Sequence, residues 1–146
     1  QAAVTEAEAA GRDLVVSART GSGKTNDDRL SVTLDTPKEM GGSGGPGTNP
    51  EQLFAVGYSA CFLGALKAVA RNEKVKIPDD ASIEAAVSFG ENANEGGAGY
   101  NIAVELKGHI PGFSTEQTTE LMEKAHKVCP YSNATRGNVD VKLSAA

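Results

Sequence analysis

The chain has little of what usually betrays a specialised fold. It contains no tryptophan, four phenylalanines, three tyrosines, two histidines and two cysteines in 146 residues. The cysteines and histidines also lack metal-ligand spacing. There is no Cys-x-x-Cys or His-x-x-x-His pair, and only His126-x-x-Cys129 is local, so neither a metal nor a bound cofactor is expected. Both histidines read as surface residues. Basic charge is scarce: 14 Lys and Arg stand against 19 Asp and Glu, a net charge of −5. Phosphate binding needs clustered cations, so nucleic acid is not an expected partner. No uninterrupted apolar run approaches the roughly 18 residues of a membrane span, which argues against a membrane partner. The segment Gln1 to Asp13 carries Glu6, Glu8 and Asp13 without an apolar stretch and does not read as a signal peptide. The expected location is the cytoplasm, where two thiols are more often buried or transiently redox-active than joined in a structural disulfide.

What is present reads as one α+β domain spanning residues 1–146. Leu14 to Val16 and Leu30 to Leu34 are β-rich runs separated by Gly21-Ser-Gly23 and Asn26-Asp-Asp28. Pro37 ends that region, and Gly41 to Gly47 holds five glycines in seven residues, a mobile or tightly turned loop. A long helix is predicted from Pro50 to about Arg71, with Pro50 suited to its first position and Glu51 to its first turn. Its middle is apolar almost all round, so it should be buried, inside the domain or against a second subunit. Ile83 to Phe89 and Tyr100 to Ile110 read as a hairpin around the loop 90–99. Ser114 to Gln117 is a capping box opening a helix with the stripe Leu121, Met122, Ala125 and Val128. Pro130 should end that helix, and Asn138 to Leu143 alternates as a last strand.

Three stretches carry possible chemistry. Ala18-Arg-Thr-Gly-Ser-Gly-Lys-Thr25 imitates a phosphate-binding loop, but such a loop needs a helix opening at Lys-Thr, and here a strand follows. A hairpin turn is the better reading. Cys61 lies mid-helix, sharing a face with Phe54, Gly57, Tyr58, Gly64, Ala65 and Ala68. It reads either as an inert buried thiol or as a reactive one in an apolar slot. Gly57 and Gly64 weaken a helix, so close approach by another group is expected at that face. Cys129, at a helix end before Pro-Tyr-Ser-Asn, reads either as a movable thiol or as a half-buried structural cysteine, and less as core filling.

The segments Gly44-Gly-Pro-Gly-Thr-Asn-Pro-Glu-Gln-Leu-Phe-Ala-Val-Gly-Tyr-Ser-Ala-Cys-Phe-Leu-Gly-Ala-Leu66 and Ala125-His-Lys-Val-Cys-Pro-Tyr-Ser-Asn-Ala-Thr-Arg-Gly-Asn138 resemble the organic hydroperoxide resistance branch of the Ohr/OsmC family. The resemblance covers nearly the whole chain apart from the first dozen residues and the loop 90–99. It implies an intertwined homodimer, with two long central helices and β-sheets wrapped around them. It implies a thiol peroxidase that reduces alkyl and fatty-acid hydroperoxides, with Cys61 peroxidatic, Cys129 resolving, and dihydrolipoyl groups of lipoylated proteins as reductant. The family's reactive sulfur is flanked by an Arg and a Glu, which map onto Arg19 and Glu51, with Arg12 competing for the first place. Phe54 and Tyr58 are expected to contact an apolar substrate tail. A redox sensor or binding protein using the same cysteine pair without turnover is the alternative.

These residue types suit the chemistry. The nucleophile must be a thiolate, a guanidinium favours that form and the departing alkoxide, and a second thiol protects the sulfenate from over-oxidation. On a straight helix Glu51 and Cys61 stand about 15 Å apart, too far for one Arg to bridge easily. Either the helix bends near Gly57, or each Glu51 serves the Cys61 of another subunit.

Overall fold

A computed structural model describes residues 15–19 (backbone only), 22–25, 27–94 and 96–146. The segment Gln1 to Leu14, with Arg12, lies outside the described residues. The chain divides into two compact units, Gln1–Pro50 and Glu51–Ala146.

The first unit holds a three-stranded antiparallel sheet in the order β1 (Val15–Arg19), β2 (Ser22–Thr25), β3 (Ser31–Thr33). The sequence places a turn at Gly21-Ser-Gly23; the structure instead makes Ser22–Thr25 the central strand. That stretch has no apolar alternation, and pairing on both edges overrides its weak propensity. Gly23 faces Val32 and Lys24 faces Ser31, so the Lys-Thr pair is extended and opens no helix. The connection to β3 closes through the Thr25 N–H to the Leu30 carbonyl at 2.9 Å, with Asp27 accepting from the Thr25 hydroxyl and the Arg29 amide. After Pro37 a single 3₁₀ turn, Lys38–Met40, ends on Gly41 in the left-handed region at φ 80°. The glycine loop is tightly turned: the Asp35 carboxylate accepts from the Gly47 amide at 2.6 Å, and Leu34 bridges Thr48.

α1, Pro50–Asn72, starts on the last residue of the first unit, belongs to the second from Glu51 onward, and runs unbroken through both glycines, much as the sequence predicts. β4 (Ser82–Glu91) and β5 (Tyr100–His109) form the expected antiparallel hairpin, registered from Ser82–His109 to Glu91–Tyr100. β6, at Asp140–Ala145 and so two residues later than predicted, pairs parallel with β5, placing Val141 beside Val104 and Leu143 beside Leu106. The helix α2, Thr115–Val128, opens on a complete capping box: the Gln117 amide donates to Ser114 Oγ at 3.2 Å, and the Ser114 amide donates to Gln117 Oε1 at 2.9 Å.

Thr118, Leu121, Met122 and Ala125 bury one face of α2. Val128, expected on that stripe, is 54% exposed, because the chain leaves the helix there and Cys129 takes the inward place. Pro130 ends α2 as predicted but also opens a short helix that the sequence reading missed, α3 at Pro130–Thr135. Proline suits a first helical position, where no amide donor is needed. Cys129, with φ −64° and ψ 126°, is the extended joint between the two helices.

The core joins Tyr58, Phe62 and Leu66 of α1 to Val104, Leu106 and Ile110, and to Leu121, Met122 and Ala125 of α2. α2 lies so close to β5 that a β-carbon at Gly108 would run into the Met122 sulfur. The predicted burial of α1 is met on one side only. Val56 is 68% exposed, and Ala60 and Gly64 are exposed beside it. By length and composition this helix is apolar enough to cross a membrane, with 22% of its most apolar window buried in the chain. Small and hydroxyl residues interrupt the helix, so its sequence shows no unbroken apolar run of that length. The secondary structure is thus α+β, as expected.

Candidate active site

Cys61 and Cys129, 68 positions apart in sequence, lie with their sulfurs 3.6 Å from one another. α1 holds Cys61 in its middle, and the α2–α3 joint presents Cys129. The two thiols differ in access: Cys61 is partly exposed, whereas Cys129 is fully buried within the core. The expectation that Cys129 would not fill the core is therefore corrected. Pro130 turns the chain so that the residue before it points inward, and Cys129 both packs and faces Cys61. A disulfide has its sulfurs near 2.05 Å, so about 1.5 Å of closure separates this pair from bonding.

Burial pushes the Cys61 thiol up, the backbone N–H of Tyr131 pulls it down, and the neighbouring Cys129 thiol pushes it up again; the outcome is upward. Among the described residues, none of the groups acting on Cys61 is a cation. The joint and first turn of α3 therefore give Cys61 both its partner thiol and one hydrogen-bond donor.

An aromatic group lies beside the sulfurs. The Phe54 ring stands edge-on to Tyr58 at 5.8 Å and tilted to Tyr131 at 6.0 Å, while Tyr58 and Tyr131 are 5.6 Å apart. Phe54 is half-buried and Tyr131 is 39% exposed, but Tyr58 is completely covered and lies behind them. Tyr131 is absent from the sequence-based site; its position two residues after Cys129 was the available signal. The close approach expected at Gly57 is real, since a β-carbon there would lie 2.9 Å from the Tyr131 hydroxyl. At Gly64 it is not found: among the described residues nothing lies within 4 Å of a β-carbon placed there.

Below the aromatics is a buried polar cluster that the sequence did not reveal. The Tyr58 hydroxyl is 2.9 Å from Ser132 Oγ and 3.3 Å from Thr135 Oγ1, and Ser132 Oγ is 2.8 Å from His126 Nδ1. His126, read from sequence as a surface residue, is half-buried. Desolvation and the nearby Arg136 hold its imidazolium form down, below the ordinary histidine range. Arg136 also donates to the His126 carbonyl at 2.6 Å and to Asn133 Oδ1 at 2.7 Å, tying the end of α2 to α3. His109 is exposed, as expected.

Of the remaining predicted site residues, Glu51 sits in the first turn of α1, half-buried, ten positions before Cys61. Arg19 is the last residue of β1, paired through its backbone with Ser22. Its side chain, like all of Arg12, lies outside the described residues. Among the described residues no three His, Cys, Asp or Glu side chains gather as a metal site.

Comparison with known proteins identifies the family and the fold. The family described as OsmC-like protein matches residues 41–144. The chain is 51% identical over 128 residues to the organic hydroperoxide resistance protein of Xanthomonas axonopodis pv. citri, covering 88% of this chain and 87% of that one. The crystal structure of an organic hydroperoxide resistance protein OsmC from Legionella pneumophila superposes with a TM-score of 0.79 at 43% identity, covering 92% and 94% of the two chains. That of OhrB from Bacillus subtilis gives 0.78 at 41% identity, covering 92% and 96%. With a family match over most of its length, relatives above 40% identity and the same fold, the chain belongs to the OsmC-like family, within its organic hydroperoxide resistance branch.

Proposed function

We propose that this protein detoxifies organic hydroperoxides as a cysteine peroxidase, with Cys61 as nucleophile and Cys129 as resolving thiol. One observation carries the assignment of roles: two sulfurs 3.6 Å apart, of which only Cys61 is open to solvent. The Cys61 thiolate attacks the outer oxygen of the hydroperoxide, the O–O bond breaks, and the departing alkoxide takes a proton to become the alcohol. The Cys61 sulfenic acid then condenses with the Cys129 thiol, forming a disulfide and releasing water. A dithiol returns the pair to its starting state by exchange, becoming a disulfide itself.

Burial and the Cys129 thiol work against the thiolate, so the site needs a cation beyond the described groups. Arg19 is the residue proposed to supply it, oriented by Glu51. Phe54 and Tyr131 supply apolar surface for an alkyl or fatty-acid tail, with Tyr58 backing them. The reductant proposed is the dihydrolipoyl group of a lipoylated protein, acting in the cytoplasm. The working form proposed is a homodimer. The exposed stripe Val56, Ala60 and Gly64 on an otherwise apolar helix suits burial against a second copy, and such packing gives Gly64 the close neighbour it lacks here.

The test is turnover of cumene hydroperoxide and of hydrogen peroxide with dihydrolipoamide, thioredoxin or glutathione. The expected result is repeated turnover with the lipoyl dithiol, and a larger kcat/KM for cumene hydroperoxide, since only it buries apolar area. One equivalent consumed per chain with every reductant would instead mark a redox sensor. Equal efficiency for both peroxides would refute the apolar slot.

A further inference from the structure

The buried cluster at Ser132 belongs to neither thiol, yet it joins all the elements that hold them. Tyr58 lies one helical turn before Cys61 on α1, Ser132 lies one turn after Cys129 on α3, and His126 is three residues before Cys129 on α2. Ser132 is completely buried, as is Tyr58, and Thr135 is 5% exposed. Buried hydroxyls at these distances cost stability unless each proton has an acceptor.

One arrangement of those protons makes every one of these contacts a hydrogen bond. Thr135 Oγ1 donates to the Ser132 carbonyl at 3.2 Å, so it has no proton left and accepts from Tyr58. Tyr58 has one proton, given to Thr135, and so accepts from Ser132 at 2.9 Å. Ser132 has then used its own proton and accepts at 2.8 Å from His126. Every contact is satisfied when His126 carries its proton on Nδ1, and that assignment rests on this count. The imidazole is the donor that starts the chain, and Arg136 holds the His126 carbonyl from the other side.

We infer that His126 is a positioning residue for disulfide closure. Through Ser132, its Nδ1–H fixes the α2–α3 joint so that the Cys129 sulfur stays within reach of the Cys61 sulfenic acid. His126 touches neither sulfur; it acts by holding the first turn of α3 to α1 and α2. This inference rests on the peroxidase reading above, and its effect falls on the second step. Without the donor, Ser132 Oγ is one bond short in a buried site and the joint loosens.

The test measures the fate of the Cys61 sulfenic acid by mass spectrometry after one and after ten equivalents of cumene hydroperoxide, alongside the rate of disulfide formation. The His126 ring lies 6.4 Å from that of Phe62, centroid to centroid, so His126→Phe keeps a ring there but removes the donor. Closure should slow about tenfold, the worth of one hydrogen bond in a buried site, and sulfinic acid should accumulate at ten equivalents. His126→Asn places an amide N–H near the former Nδ1 position and should restore most of the closure rate. Should His126→Phe fail to fold, Ser132→Ala removes only the shared oxygen and should show the same slowing. Wild-type closure in whichever of these folds would overturn the inference, as would equal slowing in His126→Phe and His126→Asn. If the unmodified protein forms no Cys61–Cys129 disulfide with one equivalent, the peroxidase reading itself fails, which is a separate outcome.

Discussion

Gly57 and Tyr131 share one space: a β-carbon on the first would lie 2.9 Å from the hydroxyl of the second. Alanine normally stabilises a helix over glycine by about 1 kcal/mol. Gly57→Ala should nevertheless bring no gain in melting temperature, because the Tyr131 ring must swing away. That movement also disturbs the backbone N–H that pulls the Cys61 thiol down, so iodoacetamide should alkylate Cys61 more slowly at neutral pH. A clear rise in melting temperature with unchanged alkylation would show that the ring yields freely.

The difference in exposure of the two thiols separates their variants. Cys61→Ser should abolish peroxide consumption. Cys129→Ser should react once and then stall or proceed to sulfinic acid, because no thiol stands ready to condense. Multi-turnover activity in either variant with a dithiol reductant would overturn the assignment.

The cation is the next point of attack. Arg19→Ala should raise the pH midpoint of Cys61 alkylation and slow peroxide attack, since losing a positive charge disfavours the thiolate. Arg19→Lys should restore only part, because an ammonium lacks the forked donors that reach sulfur and carboxylate together. Arg12→Ala is the control. A shift in that control without one in Arg19→Ala would move the role to Arg12.

Val56, 68% exposed on an apolar helix, tests assembly. Sedimentation should find the unmodified protein dimeric at micromolar concentration and Val56→Glu monomeric, because a two-fold contact buries the new charge once per subunit. A monomeric unmodified protein, or a dimeric variant, would place the contact elsewhere.

His126 also sets a pH dependence. Its folded-state pKa lies below the ordinary 6.5, so the unfolded chain takes the proton more readily. The stability it contributes is therefore complete above pH 6.5 and is lost as the pH falls toward its folded value. Melting temperature should decline from pH 6.5 toward the carboxylate range near 4.5, and His126→Asn should flatten that decline. An equal slope in both proteins would assign it to other groups.

Where patterns are local and long, the sequence was legible. The 23-residue α1, the hairpin β4–β5 and the Ser114 capping box each announce themselves in consecutive residues. The strand Ser22–Thr25 did not, because its partners on both edges rather than its own residues hold it extended. α3 was hidden by Pro130, which reads first as a terminator and only in the structure as an opener. The cysteine pair emerged through its flanking motifs, but the burial of Cys129 and the linkage of Tyr58, Ser132 and His126 join residues as many as 77 positions apart and leave no periodic trace.

The closeness of α2 to β5 has a chemical corollary. Thioethers are oxidised by the same peroxides that thiolates reduce, and a sulfoxide oxygen needs room and solvent. Met122 has neither: it is fully buried, its sulfur occupying the hollow left by Gly108. Met40, the other methionine, is 40% exposed on the 3₁₀ turn. Peroxide reaching the protein should therefore oxidise the exposed Met40 thioether first, while the Met122 sulfur that joins helix to sheet stays shielded.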